Sequence, residues 1–320
     1  MKRRLAACLS ALACTLALAQ PTASPSTAPL VILVGGPPGT PGDVVARALS
    51  TPLGLELGQP VVVENRPGAA GTVALAAVAR ARPDGNTLGV LALQSAVAPA
   101  LVKTMPYDTA GDLLPVRQLT SVSNLLVVRA ESPWASLDDV LKAGREGSLT
   151  YASGGNGTPA HLAGELFGHE ARVRLQHVPF SGAVAGVTAV LGGHVQMMFA
   201  TTPAAAPLVQ SGRLRALAVT SPERLPIAPT LRTLAESGLA AATVQDWHGL
   251  VAPAGTSPER VAQIDAAASR VLASDAVRQR LAAAGLDVVN RSGPTDFRNW
   301  VRAEMERWGV VVRRAGITLQ

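Results

Sequence analysis

Short runs of β-branched and other apolar residues alternate along this chain with longer alanine-rich windows, a pattern that predicts an α/β fold. Strands are expected at Leu30–Val34, Val61–Glu64, Thr87–Leu93, Leu125–Val128, Leu149–Ala152, Leu175–Val178, Val195–Phe199, Leu214–Val219 and Gly249–Ala252. Helices are expected at Val44–Leu57, Thr72–Ala81, Ser136–Gly144, Pro159–Phe167, Ala183–Leu191 and Pro203–Val209. Three more, Pro258–Ser274, Ala276–Ala284 and Thr295–Ala315, close the chain. Turn chemistry such as Arg66-Pro67-Gly68 and Pro83-Asp84-Gly85 separates the elements. The order implies doubly wound, largely parallel sheets covered on both faces, where ligands sit beyond the carboxyl ends of strands.

Two of the strand-to-helix junctions carry a glycine loop. Tyr151–Ser153 runs into Gly154, Gly155, Asn156 and Gly157, then Thr158 as a helix cap and Pro159 in the first turn. Leu30–Val34 runs into Gly35–Gly42, with Asp43 opening the next helix. Glycines turn backbone N–H groups outward without a steric penalty, and a helix N-terminus adds a positive dipole. Each corner therefore suits a carboxylate or phosphate, and two of them suggest a ligand held between two lobes.

The first residues predict export. Lys2, Arg3 and Arg4 precede an apolar run from Leu5 to Leu18, and Ala17-Leu18-Ala19 fits a signal-peptidase site, giving a signal peptide over 1–19 and a periplasmic protein. A Pro/Ser/Thr tether follows over 20–29. Cys8 and Cys14 both fall in the leader, so the mature chain is expected to have no disulfide, thiolate nucleophile or cysteine metal site. The leader also holds three of the 28 basic residues and none of the 22 acidic ones, leaving 25 against 22, a net charge of +3. With that mild excess, scattered basic residues and only 3% aromatics, the chain lacks the stacking platforms and basic stripes of nucleic-acid binders.

Several segments resemble one known family in its own order. LGQPVVVENRPGAAGTVALAAVARARPDGNTL, MPYD, YASGGNGTPAHLAGELF, HVPFSG, the run Gly192–Gln196, GRLRALAVTS and GLVAPAGT are similar to the Bug (TctC-like) receptors. These are the extracytoplasmic solute-binding subunits of tripartite tricarboxylate transporters. The likeness covers about Leu30 to Ile317. It implies a type II periplasmic-binding-protein fold with two α/β lobes joined by two crossover strands, lobe one over 30–124 plus 249–320 and lobe two over 125–248. It also implies a monomer without cofactor or metal that takes a small carboxylate and delivers it to membrane permease subunits. A ligand-dependent partner of a sensor kinase remains the alternative.

Carried onto this chain, the resemblance places binding on Gly36, Pro38, Gly39, Thr40 and Asp43 of the first loop and on Ser153, Gly155, Asn156, Gly157, Thr158 and His161 of the second. Ser95, Phe180, Ser181, Ala200 and Thr201 are implied as rim or floor. The N–H groups of Gly39, Thr40, Gly155 and Gly157 and the hydroxyls of Thr40, Ser153 and Thr158 are the expected donors. His161 is left between a ligand donor and a structural histidine. Relatives usually carry Asp at the position of Ala200 and commonly Lys at that of Ser181, so an acid that could balance an amine is missing and an unaminated carboxylate is expected. Pro52 is expected to kink or restart the first helix. Three sharper readings are set aside: Gly155–Ala160 fits a dinucleotide glycine motif but no acid ends the next strand, the His161, Glu165, His169 face lacks a further metal ligand, and Ser153 lacks the glycine of a nucleophile elbow.

Overall fold

A computed structural model describes residues 28–225, 227–289 and 293–317. The expected signal peptide and tether residues 20–27 lie outside the described residues. Among these there are ten strands and ten α-helices, in the order β1 (Leu30–Val34), α1 (Pro41–Leu57), β2 (Val61–Asn65), α2 (Thr72–Ala79), β3 (Thr87–Ala92), α3 (Leu93–Leu101) and β4 (Leu113–Arg129). Then come α4 (Leu137–Glu146), β5 (Ser148–Ser153), α5 (Pro159–Ala171), β6 (Arg174–Pro179), α6 (Ala183–Leu191), β7 (Met197–Thr201), α7 (Thr202–Gln210) and β8 (Leu214–Val219). The chain closes with β9 (Gln245–Pro253), α8 (Pro258–Ala273), α9 (Asp275–Ala283), β10 (Asp287–Val288) and α10 (Pro294–Ala315).

The strands run β2-β1-β3-β9-β4-β7-β5-β6, with β8 and β10 also on β4. Pairings β1–β2, β1–β3, β5–β6 and β5–β7 are parallel, whereas every pairing made by β4 or β9 is antiparallel, so the sheets are mixed rather than largely parallel as expected. The link between them is β4: Leu113–Ser123 pairs with β9 in the first sheet, and Asn124–Arg129 pairs with β7 and β8 in the second. Only Leu125–Val128 of this strand is expected from the sequence, because Arg117, Gln118, Thr120, Ser121, Ser123 and Asn124 break the apolar run. Most of these polar residues are nonetheless buried, since helices cover both faces of the sheet. Arg117 is matched there by Asp265 on α8, Nε to Oδ1 2.6 Å.

Four further differences are confined to single elements. The window Leu93–Leu101, which the sequence leaves as coil, forms α3, and β9 begins four residues before the expected Gly249. α1 runs unbroken through Pro52. α5 continues past Gly168 to Ala171, because Arg172 in the left-handed region caps it. His169 is thus helical but exposed, and among the described residues no cluster of three or more His, Cys, Asp or Glu could hold a metal.

α10 locks the crossover strand β9. Phe297 packs where a Cβ on Gly249 would lie 2.1 Å from its Cζ, so only glycine fits there. Trp247 meets the Phe297 ring edge-on at 5.7 Å, and its Nε1 donates to Glu304 Oε2 (3.1 Å), which also accepts from Trp308 Nε1 (3.2 Å). Trp308 is thus a packing anchor of α10, whereas Trp300 is 42% exposed. Strand alternation then has a consequence for the other face. With Trp247 directed to α10, its neighbours Asp246 and His248 turn to the opposite side of β9. No helix among the described residues is long and apolar enough to cross a membrane.

Candidate functional site

Two corners face each other across one cavity of about 540 Å³, within the ~300–1,000 Å³ of small-molecule sites. One joins β1 to α1, the other β5 to α5. Each ends in a Gly-Thr-Pro triplet, and the triplets share their geometry. Gly39 and Gly157 are left-handed, with φ of 85° and 77°. Thr40 and Thr158 both have φ −70°, with ψ of 156° and 157°. Each threonine hydroxyl donates three residues back, Thr40 to the Pro37 carbonyl (2.8 Å) and Thr158 to that of Gly155 (2.7 Å). Each glycine N–H donates four residues forward, Gly39 to Asp43 Oδ2 (2.9 Å) and Gly157 to His161 Nδ1 (3.1 Å). Asp43 and His161 therefore do the same work in the two lobes.

These bonds correct the expected donor set, because the groups assigned to the ligand hold the loops together instead. Besides the bonds just given, the Thr40 and Thr158 N–H groups return to the Pro37 and Gly155 carbonyls at 3.3 Å, and the Gly155 N–H donates to Ser153 Oγ (3.0 Å). Ser153 Oγ is bonded in turn to His177 Nε2 at 2.6 Å. The groups left over lie one step further on. Pro41 and Pro159 have no N–H, and the first intrahelical bonds are Val44 N–H to Thr40 and Leu162 N–H to Thr158. The N–H groups of Gly42, Asp43, Ala160 and His161 consequently have no acceptor within their helices.

Four more helices open on the cavity: α2 through Gly71, α3 through Gln94 and Ser95, α6 through Gly182 and Ala183, and α7 through Thr201. None of the six is capped by the side chain of its own N-cap residue. α4 and α8, which start elsewhere, are capped by Ser136 and Ser257, but α9 and α10 are not. Convergence of the six ends, rather than a missing cap, is thus what marks the site. Among the described residues no lysine or arginine lines it, so an anion there meets main-chain dipoles.

The cavity wall includes Gly36, Thr40, Ser95, Gly155, Asn156, Thr158, Ser181 and Thr201 from the expected set. The other eight do not line it. Pro38 and Gly39 sit at an exposed loop tip, and Phe180 is tied by its N–H to the Ser153 carbonyl (3.0 Å). Ala200 is fully buried in β7 opposite Leu125. Asp43 lies beneath the first loop, accepting from Gly39, Arg47 Nε (2.9 Å) and Asn65 Nδ2 (2.9 Å). Burial works to raise its pKa, but these three donors outweigh that and hold the carboxyl below its ordinary range. Ser153, Gly157 and His161 lie behind the second loop. There the His161 and His177 rings stack at 4.2 Å, and burial pushes both imidazoles down to about 4. His161 is a structural acceptor in this arrangement.

Two features of the wall escape the sequence reading. Gly68, Ala69, Ala70 and Gly71 all have positive φ, of 138°, 44°, 55° and 87°, and alanines so placed store about 1–2 kcal/mol each. The segment reads as a plain turn because alanine gives no warning of a left-handed backbone. Asp246 and His248 also line the cavity, 6% and 3% exposed. The alternation Asp246, Trp247, His248 on one strand was the signal that could have found them. An acid is therefore present after all, on β9 rather than at position 200. Burial pushes the Asp246 carboxyl up and the His248 imidazole down.

Residues 45–317 match the family described as the tripartite tricarboxylate transporter family receptor, TctC. The chain is 34% identical over 299 residues to Protein BugT of Bordetella pertussis, spanning 91% of this chain and 90% of that one. Among solved structures it is similar to the periplasmic binding protein BugD, with a TM-score of 0.83 and 29% identity over 90% of this chain and 98% of that one. It is also similar to MatC of Rhodopseudomonas palustris with bound malate (TM-score 0.80, 34% identity, 89% and 99% covered) and to a second R. palustris protein with adipate (0.83, 32%, 91% and 99%).

Proposed function

The chain belongs to the tripartite tricarboxylate transporter receptor family, and on that footing we propose that it captures a small carboxylate between its two glycine corners and hands it to membrane permease subunits. The observation that carries this reading is the convergence of six helix N-termini on one cavity whose walls hold no lysine or arginine among the described residues. The head carboxylate takes the free first-turn N–H groups that line the cavity, Gly42 from one lobe and Ala160 from the other, together with further polar groups of the wall, directly or through water. Three or four hydrogen bonds to a charged group, at a net of about 1.5–3 kcal/mol each, reach the ~8 kcal/mol of a micromolar site after ordering costs.

Because main-chain donors grip only the head, the rest of the wall sets which acid fits, and the malate and adipate held by relatives are in keeping with that division. Export to the periplasm, with cleavage near Ala19, belongs to the same proposal. The test is a thermal-unfolding screen of the mature protein against mono-, di- and tricarboxylates. A ligand at 100 times its Kd adds about 2.7 kcal/mol. A panel in which no carboxylate raises the unfolding temperature would overturn the reading.

A further inference from the structure

Asp246 and His248 are the titratable side chains of the cavity wall among the described residues, and the carboxylate grip does not use them. Asp246 accepts the Trp247 N–H on Oδ1 (2.8 Å) and also the N–H of Leu93, the first residue of α3, so its charge stabilises that helix end. Its Oδ2 faces His248 Nε2 at 3.7 Å, beyond hydrogen-bond range. On the far side of the imidazole, Nδ1 lies 3.5 Å from Thr120 Oγ1. With the Thr120 hydroxyl donating there, the ring proton sits on Nε2. An N–H donor and a carboxylate oxygen thus stand side by side on the cavity wall without bonding each other, both on side chains more than nine-tenths buried.

The same ring fixes where along the ligand this pair acts. A methyl group placed on Gly42, in the first turn of α1, would lie 3.4 Å from His248 Cδ2 and 3.8 Å from its Nε2. Gly42 carries one of the free N–H groups assigned to the head carboxylate. The pair is therefore within a bond or two of that head.

We propose that Asp246 and His248 select a hydroxycarboxylate, whose hydroxyl, on the first or second carbon from the head, accepts from His248 Nε2–H and donates to Asp246 Oδ2. A hydroxyl is the small group that does both. An ammonium cannot accept from the imidazole and would sit among six positive helix ends. A second carboxylate would oppose Asp246, and a bare methylene would leave both groups unpaired. This inference rests on the carboxylate-receptor reading, and the test separates the two.

Binding to the full mature chain is measured by calorimetry for matched acids: 2-hydroxybutyrate, 3-hydroxybutyrate, butyrate and 2-aminobutyrate, with malate, succinate and aspartate as a second series. At least one hydroxy acid is expected to bind tenfold or more tighter than its unsubstituted and amino counterparts, from one hydrogen bond pair involving a charge. His248→Phe should erase that preference, read within the variant as the ratio of the affinities for the hydroxylated and the plain acid. His248→Gln, which carries an amide N–H near the Nε2 position, should restore part of it. Asp246→Asn should also erase it, with His248→Phe as the safeguard should the loss of the α3 charge unfold the protein. Equal binding of plain and hydroxylated acids, or preference for the amino acid, overturns the inference and leaves the receptor reading standing. Failure of every acid overturns both.

Discussion

Acidification should weaken the second lobe through His161. Its imidazole is pushed by burial from 6.5 down to about 4, so at pH 5 the folded ring is largely neutral while the unfolded one is protonated. The folded state then binds fewer protons, and stability falls as pH drops. The contribution is complete above about 6.5 and is lost progressively down to about 4; at pH 5 it amounts to about 2 kcal/mol from this one group. For a chain of this size that corresponds to about 3 °C in unfolding temperature. The groups facing His161 are Glu165, whose Oε1 is 3.9 Å from Nε2, the stacked His177, and Tyr151, whose hydroxyl is held by Glu165 at 2.6 Å. His177, likewise lowered, and His248 act with the same sign, whereas Asp246 and Asp287, both raised by burial, act against it. The assay is therefore a difference: calorimetric unfolding at pH 7.5 and 5.0 for the wild type and for His161→Asn, whose amide oxygen can still accept from the Gly157 N–H but does not titrate. The variant should lose clearly less stability between the two pH values. Parallel losses in the two proteins would refute the assignment of His161 as a neutral acceptor.

Three further outcomes follow from packing. Glu304→Ala leaves the indole N–H groups of buried Trp247 and Trp308 without their shared acceptor and should cost about 2–4 kcal/mol in denaturant unfolding. Gly164→Ala puts a methyl 2.1 Å from Tyr151 Cε2, behind the second corner, and should cost about 1–3 kcal/mol or more; an unchanged midpoint would mean the ring moves freely. Valine at Gly39 and at Gly157 should separate binding from folding. Both positions need positive φ, worth roughly 1–2 kcal/mol, but a side chain at Gly39 meets open space whereas Gly157 is buried. Gly39→Val should weaken carboxylate binding with that small stability loss alone, while Gly157→Val should also destabilise the unliganded protein. Equal stability losses at the two sites would contradict the burial argument.

What the sequence made legible, and what it hid, divides along physical lines. β1 begins and ends where its apolar run does, because a strand buried on both faces needs nothing but apolar residues. The glycine loops stood out because a Gly-Thr-Pro triplet before a helix leaves few alternatives for the backbone. β4 was mostly hidden, since its polar residues interrupt the apolar run and the partner of Arg117, Asp265, lies 148 residues away in sequence. α3 was hidden too: its N-terminal partner is the Asp246 carboxylate from β9, which no local cap signal announces. The donor set was misassigned for a subtler reason. Composition says that a loop can present N–H groups, but not whether its own side chains, here Asp43, Ser153 and His161, consume them first.

The duplicated corners also explain why selectivity has to come from elsewhere in the wall. On the proposed reading, a grip made of the same Gly-Thr-Pro geometry in both lobes recognises one chemical feature, the anionic head, and is blind to the remainder of the ligand. Its strength is fixed by backbone dipoles, which substitution can hardly tune without breaking the helices that carry them. Strand β9 has no such restriction, because its register is held from behind by Trp247, Phe297 and Glu304 on the α10 side. On its cavity side His248 is then free to vary without disturbing that packing, whereas Asp246 also holds the first residue of α3. Discrimination between acids is thus expected to change by substitution at positions 246 and 248, while loss of binding as a whole is expected from the corners. A scan in which β9 substitutions abolish binding of all acids alike, with unfolding temperature unchanged, would show that grip and selectivity are not separable in this way.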